Sequence, residues 1–171
     1  MMDTPHTEQW CTFFLHDLYV GLRADSVREM IHTTERTRVP LVSPLVHGLV
    51  NLRGEIVTTF DLRRCLGFPA ASADAPWTNV VVRVDDTVVS LVVDAIGDVL
   101  TLDRNQIEPL PVTVNNEWRS FIDGVFPLAD SLMLAIDLDR FLAQGITEPA
   151  SNNDQPPTPN QPQTQQLKAA S

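Results

Sequence analysis

A mainly β fold made of two small β-barrel lobes, with short helices after the lobe strands, is predicted by three observations. The apolar residues fall in short runs rich in β-branched and aromatic side chains, too brief for stable helices. Turn-forming residues separate the runs at close intervals. The chain also matches itself at two offsets, so whatever one half builds the other half repeats.

The elements follow in order. Thr12 to Leu15 and Tyr19 to Leu22 read as strands joined by a tight turn at His16-Asp17-Leu18. Ala24 to Ile31 fits either a short helix or an irregular strand. Gly48 to Leu52 and Ile56 to Phe60 flank an Arg53-Gly54 turn in which Gly54 supplies a positive φ. Asp61 then caps a short helical segment that Gly67 closes. Pro69 to Pro76 reads as a linker. Val80 to Val84 and Val88 to Val93 form a second hairpin about Asp85-Asp86-Thr87, and Asp137 and Gly145 repeat the cap and the exit of the first helix.

The repeat has two blocks. An offset of 69 sets Cys11–Leu15 on Val80–Val84, with Asp17 on Asp86, Val20 on Val89, Asp25 on Asp94 and Val27 on Ile96. An offset of 76 sets Gly48 on Gly124, Phe60 on Ile136, Asp61 on Asp137, Leu62 on Leu138 and Arg64 on Arg140. One loop insertion of seven residues accounts for the change. The lobes are therefore placed at about 9–70 and 76–142, with strands free to cross between them. The stretch 144–171, rich in Pro, Gln and Asn and poor in large apolar groups, reads as a disordered tail.

Composition narrows the function. With 171 residues and 43% hydrophobic content the chain can bury a real core. A net charge of −10, from 12 basic and 22 acidic residues, together with 6% aromatics, argues against a nucleic-acid groove. Cys11 and Cys65 read as buried thiols of a reducing compartment. The N-terminus lacks a basic region followed by an apolar one, and no apolar run approaches the ~18 residues of a membrane span, so a cytoplasmic protein is expected.

Catalytic chemistry is thin. His6, His16, His32 and His47 have no metal-ligand spacing, and Ser43, Ser90, Ser120 and Ser131 lack a nucleophile context. Asp85, Asp86, Asp94, Asp98 and Asp103 do not follow a calcium-loop pattern. No cofactor or metal site is expected, and no enzyme.

The segment Gly48-Leu49-Val50-Asn51-Leu52-Arg53-Gly54-Glu55-Ile56-Val57, continued by Phe60-Asp61-Leu62-Arg63 and Leu66-Gly67, resembles the signature of CheW-like domains. Val92-Val93-Asp94, Asp98-Val99-Leu100, Gln106-Ile107-Glu108-Pro109, and Gly124 with Leu132 to Leu142 resemble the rest of that domain in order. The resemblance spans about 9–142. It implies two five-stranded, SH3-like lobes of the CheW-like type, packed together, and a non-enzymatic adaptor joining chemoreceptor cytoplasmic tips to the regulatory domain of the histidine kinase CheA. Contact with other CheW-like domains in rings is implied too, with membrane association only through receptors.

By the same resemblance Arg53, Val27, Glu29, Gly48 and Val99 are receptor-binding positions. For Val27 and Val99, core burial competes with that role. Gln106, Ile107, Glu108, Pro109 and Pro111 form an implied array-contact loop. The sequence departs from the family at Thr58-Thr59, where Pro and β-branched apolar residues are common, at Ser90, often Gly, and at His16, often a turn Gly. Flagellar chemotaxis, twitching motility and other chemosensory pathways all fit, while a small β-barrel nucleic-acid binder and a diverged enzyme are the readings from other classes.

Overall fold

The computed structural model describes residues 4–33, 36–38, 40, 44–69, 77–114 and 116–147. The linker at 70–76 and the tail from 148 onward lie outside the described residues. The strands are β1 (Thr7–Leu15), β2 (Leu18–Arg23), β3 (Val27–Thr33), β4 (Val46–Leu52), β5 (Glu55–Asp61), β6 (Trp77–Val84), β7 (Thr87–Val93), β8 (Ala95–Asp103), β9 (Ile122–Pro127) and β10 (Leu132–Ile136). The helices are α1 (Leu62–Cys65), α2 (Asn116–Arg119) and α3 (Leu138–Thr147). The ambiguous segment after β2 resolves into a 3-10 turn at Ala24–Ser26 followed by strand β3.

Two five-stranded sheets result: sheet 1 in the order β8-β1-β2-β10-β9 and sheet 2 in the order β3-β6-β7-β5-β4. Neither sheet follows one half of the sequence. The first two strands of each half join the last three strands of the other, through a parallel pairing of β2 with β10 and of β5 with β7. The registers repeat at the offsets seen in the sequence. Val20 faces Leu134 as Val89 faces Thr58, and Cys11 faces Val99 as Val80 faces Met30. Even the bulges match, between Cys11 and Phe13 in the β1–β8 pair and between Val27 and Glu29 in the β3–β6 pair.

Closed barrels were expected; among the described residues the sheets are instead joined across their outer strands by a single bridge each. Thr37 exchanges two backbone hydrogen bonds with Leu49 of β4 (2.9 and 2.8 Å), and Glu108 does the same with Val125 of β9 (2.8 Å each). Both bridges need a glycine beside them. A β-carbon on Gly48 (φ +155°) would stand 2.7 Å from Thr37 O, and one on Gly124 would stand 2.6 Å from Glu108 O.

The inner faces of the sheets meet in one core containing Phe13, Leu15, Val20 and Leu22 from sheet 1 and Phe60, Val80, Val82 and Leu91 from sheet 2. The outer face of sheet 1 buries a smaller cluster of Trp10, Phe126, Met133 and Ala135. The matching face of sheet 2 mixes buried apolar residues, Trp77, Val81, Val92 and Val57, with buried polar ones. Its register sets Asn79, Ser90 and Thr59, all fully buried, where sheet 1 has Trp10, Gly21 and Ala135. The hydroxyls of Thr59 and Ser90 and the amide of Asn79 have no partner among the described residues. The unusual Thr58-Thr59 pair thus lies in a fully paired strand, with Thr59 turned inward.

Both helix caps form: Asp61 accepts from the Arg64 amide at 3.3 Å and Asp137 from the Arg140 amide at 3.0 Å. Gly67 ends α1 at φ +79°. Gly145 does not end α3, which continues to Thr147. A salt bridge ties the sheets at Asp94, between β7 and β8, where Arg63 Nε reaches Asp94 Oδ1 at 2.7 Å. Asp94 Oδ2 also accepts from the His16 amide at 2.6 Å.

Two substitution series test this account. Gly48→Ala and Gly124→Ala should each lower unfolding free energy by about 1–3 kcal/mol through backbone displacement. Gly67→Ala, which meets nothing within 4 Å, should cost only the ~1 kcal/mol of left-handed strain. Urea midpoints at constant slope decide the comparison. Thr59→Val should stabilise the fold by about 1 kcal/mol, since it removes a buried hydroxyl that lacks a protein partner; a lower midpoint for this variant would show that the hydroxyl is satisfied.

Candidate functional site

The β4–β5 hairpin turns on two left-handed residues, Arg53 at φ +53° and Gly54 at φ +89°. Asn51 Oδ1 locks the turn by accepting from the Gly54 amide at 2.9 Å. Left-handed backbone at a non-glycine residue is uncommon. Here it aims the Arg53 side chain back across the open seam of sheet 2, where Arg53 Nη2 meets Glu29 Oε2 of β3 at 3.1 Å. A second pair runs in the opposite sense, with Arg28 Nη1 3.5 Å from Glu55 Oε2.

The seam between β3 and β4 is therefore joined by a backbone bridge at Thr37 and by two crossed ion pairs at the hairpin. Arg53 remains 83% exposed while Glu29 is only 24% exposed. The carboxylate is fixed and the guanidinium is displayed, with further N–H donors of the planar fork facing outward. Ile56, 62% exposed, follows directly on the same hairpin and adds an apolar contact.

Of the positions singled out in the sequence, Glu29 and Arg53 come together here. Val27 opens β3 at the bulge and is partly buried against the main core. Gly48 is on β4, the strand that leads into the Arg53 turn, but is buried beside the Thr37 bridge, so its evident task is structural. Val99 lies in sheet 1 on β8, the strand equivalent to β3. It is 58% exposed, which removes core burial as its explanation. Sequence reasoning missed Arg28 and Glu55, although the complementary spacing Arg28-Glu29 against Arg53-Gly54-Glu55 was there to be read.

The 106–111 segment has a double character. Ile107 packs on the smaller cluster and Glu108 makes the bridge to β9, whereas Gln106, Pro109 and Pro111 are exposed. Arg119 pins the far end by donating to the carbonyls of Pro111 and Val114. Beyond Pro111, Val112 projects almost wholly into solvent.

Among the described residues no group of three His, Cys, Asp or Glu side chains is placed to hold a metal ion. The acidic residues considered for calcium have other partners: Asp94 holds Arg63, and Asp103 caps the 3-10 turn at Arg104–Gln106 by accepting from the Asn105 amide at 3.0 Å. Both cysteines are free thiols. Burial, with the Asp61 charge added, pushes Cys65 up to about 12, and burial raises Cys11 as well. Neither is a ready thiolate at neutral pH.

Comparison with known proteins decides the lineage. The model of the CheW-like domain matches residues 9–145. The chain belongs to the CheW-like domain family. It is 33% identical over 114 residues to the chemotaxis protein CheW of Rhizobium meliloti, covering 67% of this chain and 74% of that one. It is 31% identical to a probable chemotaxis protein CheW of Rhizobium etli over 125 residues, 73% of this chain and 81% of the relative. Among solved structures, the scaffolding protein TtCheW from Thermoanaerobacter tengcongensis superposes with a TM-score of 0.69 at 28% identity, covering 81% of this chain and 94% of that one. The family is one of scaffolds and adaptors. No described helix is long and apolar enough to cross a membrane.

The Arg53–Glu29 pair is too exposed to carry the fold. Arg53→Ala should change unfolding free energy by less than about 1 kcal/mol, as exposed pairs do. A loss of several kcal/mol in urea denaturation would instead make Arg53 a structural residue.

Proposed function

We propose that this chain is a non-enzymatic chemotaxis adaptor of the CheW type, coupling the cytoplasmic tips of chemoreceptors to the histidine kinase CheA. It acts in the cytoplasm and is recruited to receptor arrays at the inner face of the membrane. The observation that carries this reading is the displayed guanidinium of Arg53, held over a seam by Glu29 in a domain of the CheW-like family. A fixed arginine fork suits carboxylates and carbonyl groups on a receptor helix.

The receptor surface consists of Arg53, Glu29 and Val27 at the sheet 2 seam, with Val99 supplying an apolar contact from the equivalent strand of sheet 1. Gly48 contributes indirectly, by keeping the seam closed. The exposed residues Gln106, Pro109 and Pro111 offer a preformed contact to a neighbouring domain, which can be the kinase regulatory domain or another CheW-like domain in a ring. Such an adaptor works by differential contact: it favours one geometry of receptor and kinase over another, so receptor signals alter kinase activity without chemistry in the adaptor itself.

The test is a pull-down with a CheA homologue and a receptor cytoplasmic fragment. Wild type should recover both partners. Arg53→Glu should retain the kinase and weaken receptor capture by about tenfold, as expected when a charge-assisted contact of ~1.4 kcal/mol or more is lost. Failure of the wild-type chain to hold either partner would end the adaptor reading for those partners, and equal loss of both in the mutant would move Arg53 out of the receptor surface.

A further inference from the structure

The repeat places a cavity beside the capping aspartate of each lobe, and the two cavities have opposite charge. Beside Asp137 the walls include Asp25, Asp123 and Asp139, set against Arg23 and Arg104. Beside Asp61 the cavity, about 210 Å³, is lined by Arg36, Arg38, Arg64 and His47 with Val46, and Asp61 is its one carboxylate among the described residues. His47 and Asp123 occupy equivalent positions at the offset of 76, so the change of sign is a divergence on a common frame.

Among the described residues the positive charge here is only partly compensated. Eight of the eleven arginines have a carboxylate at 3.7 Å or less. Arg119 donates to backbone carbonyls. Arg36 and Arg38 have no carboxylate partner among the described residues, and both face this one cavity. Arg36 is held in place without one: its guanidinium lies over the Trp77 ring at 4.8 Å, and its Nη1 is 2.7 Å from His47 Nε2. Arg64 is braced by Asp61 at 3.7 Å and by the Pro44 carbonyl at 3.1 Å.

We propose that this cavity is a binding site for a small oxyanion of the phosphate class. Among the described lining residues, three guanidinium groups against one carboxylate leave a net charge of about +2, which matches a dianion and offers planar donor forks to its oxygens. The volume exceeds the ~30 Å³ share of a single water several times over, enough for a tetrahedral anion with part of its hydration. The surroundings of His47 agree. It is met by Arg36, Arg38 and Arg64 and, edge-on at 4.6 Å, by Trp77, and it shares the cavity with Asp61. Burial first, then the three arginines, lower it to about 4, so at neutral pH it adds no charge and accepts from Arg36. A bound dianion would oppose the arginines and raise it.

The experiment uses the full chain at fixed ionic strength. Isothermal titration with inorganic phosphate at neutral pH should show one saturable site with a dissociation constant of about 1 mM or tighter. Arg36→Gln with Arg38→Gln should weaken it about tenfold or more, while Arg104→Gln, at the cavity of opposite charge, should leave it unchanged. Arg38→Gln alone, at an exposed side chain, serves if the double variant does not fold. Because sulfate stays a dianion in acid, NMR titration of His47 with and without sulfate should show its midpoint rising from about 4. Vesicles of phosphatidic acid and of phosphatidylcholine separate the sources: binding to phosphate alone assigns a free anion, and binding to phosphatidic acid alone assigns a lipid headgroup. The proposal is overturned if neither arm binds, or if the arginine variants bind as the wild type does.

Discussion

Two parallel strand pairings, β2 with β10 and β5 with β7, hold the molecule together, and most of its other features follow from them. Parallel neighbours cannot be joined by a tight turn and need a long connection. In this chain the connection is the rest of the fold. Within the first half, the described strands pair with each other only as the hairpins β1–β2 and β4–β5; apart from the Thr37–Leu49 bridge, every other partner of these strands is supplied by the second half. Isolated hairpins are marginal in water. Neither half can close its own core, so the domain should form cooperatively and depend on contacts distant in sequence, which slow folding relative to local ones.

The exchange also explains why a few charged residues sit deep at the junction. Where the chain passes from β7 in sheet 2 to β8 in sheet 1, Asp94 collects Arg63 from α1 and the His16 amide from the β1–β2 turn, and its own amide donates to Phe14 O at 3.0 Å. Three segments far apart in sequence are fixed by one carboxylate. Both side chains of the Arg63–Asp94 pair are mostly buried, at 20% and 24% exposure. Charge-assisted bonds in such a setting contribute about 1.5–3 kcal/mol each, unlike the displayed Arg53–Glu29 pair.

What could be read from the sequence was local. The hairpin turns at His16, Arg53 and Asp85, the caps at Asp61 and Asp137 and the exit at Gly67 each depend on neighbours within a few residues, and each is present. The repeat was legible too, because shared registers demand shared side chains. Strand β8 was not recognised. All of its residues are at least partly exposed, so the apolar alternation that marks a half-buried strand is absent. The exchange of strands leaves no local trace, since a hairpin looks alike whichever sheet receives it. At the site, Arg53 and Glu29 were named, but their ion pair and the crossed Arg28–Glu55 pair arise from closing the seam, which only the tertiary fold does.

Duplication separates folding from recognition in a way one copy could not. Positions equivalent in both halves, such as Gly48 and Gly124 or Asp61 and Asp137, serve bridges and caps that either lobe must have. Positions that differ are released from that duty. Arg53-Gly54 has Ala129-Asp130 as its counterpart, His47 has Asp123, and the buried Thr59 and Ser90 stand against Ala135 and Gly21. The first two differences change charge at a surface, where it governs which partner is attracted and costs the fold little. The third changes polarity inside, where it costs stability without adding a contact. Recognition in this domain is therefore to be sought where the two lobes disagree at their surfaces, and the seam at Arg53 and the cavity at Arg36 and Arg38 are two places where the disagreement is one of charge.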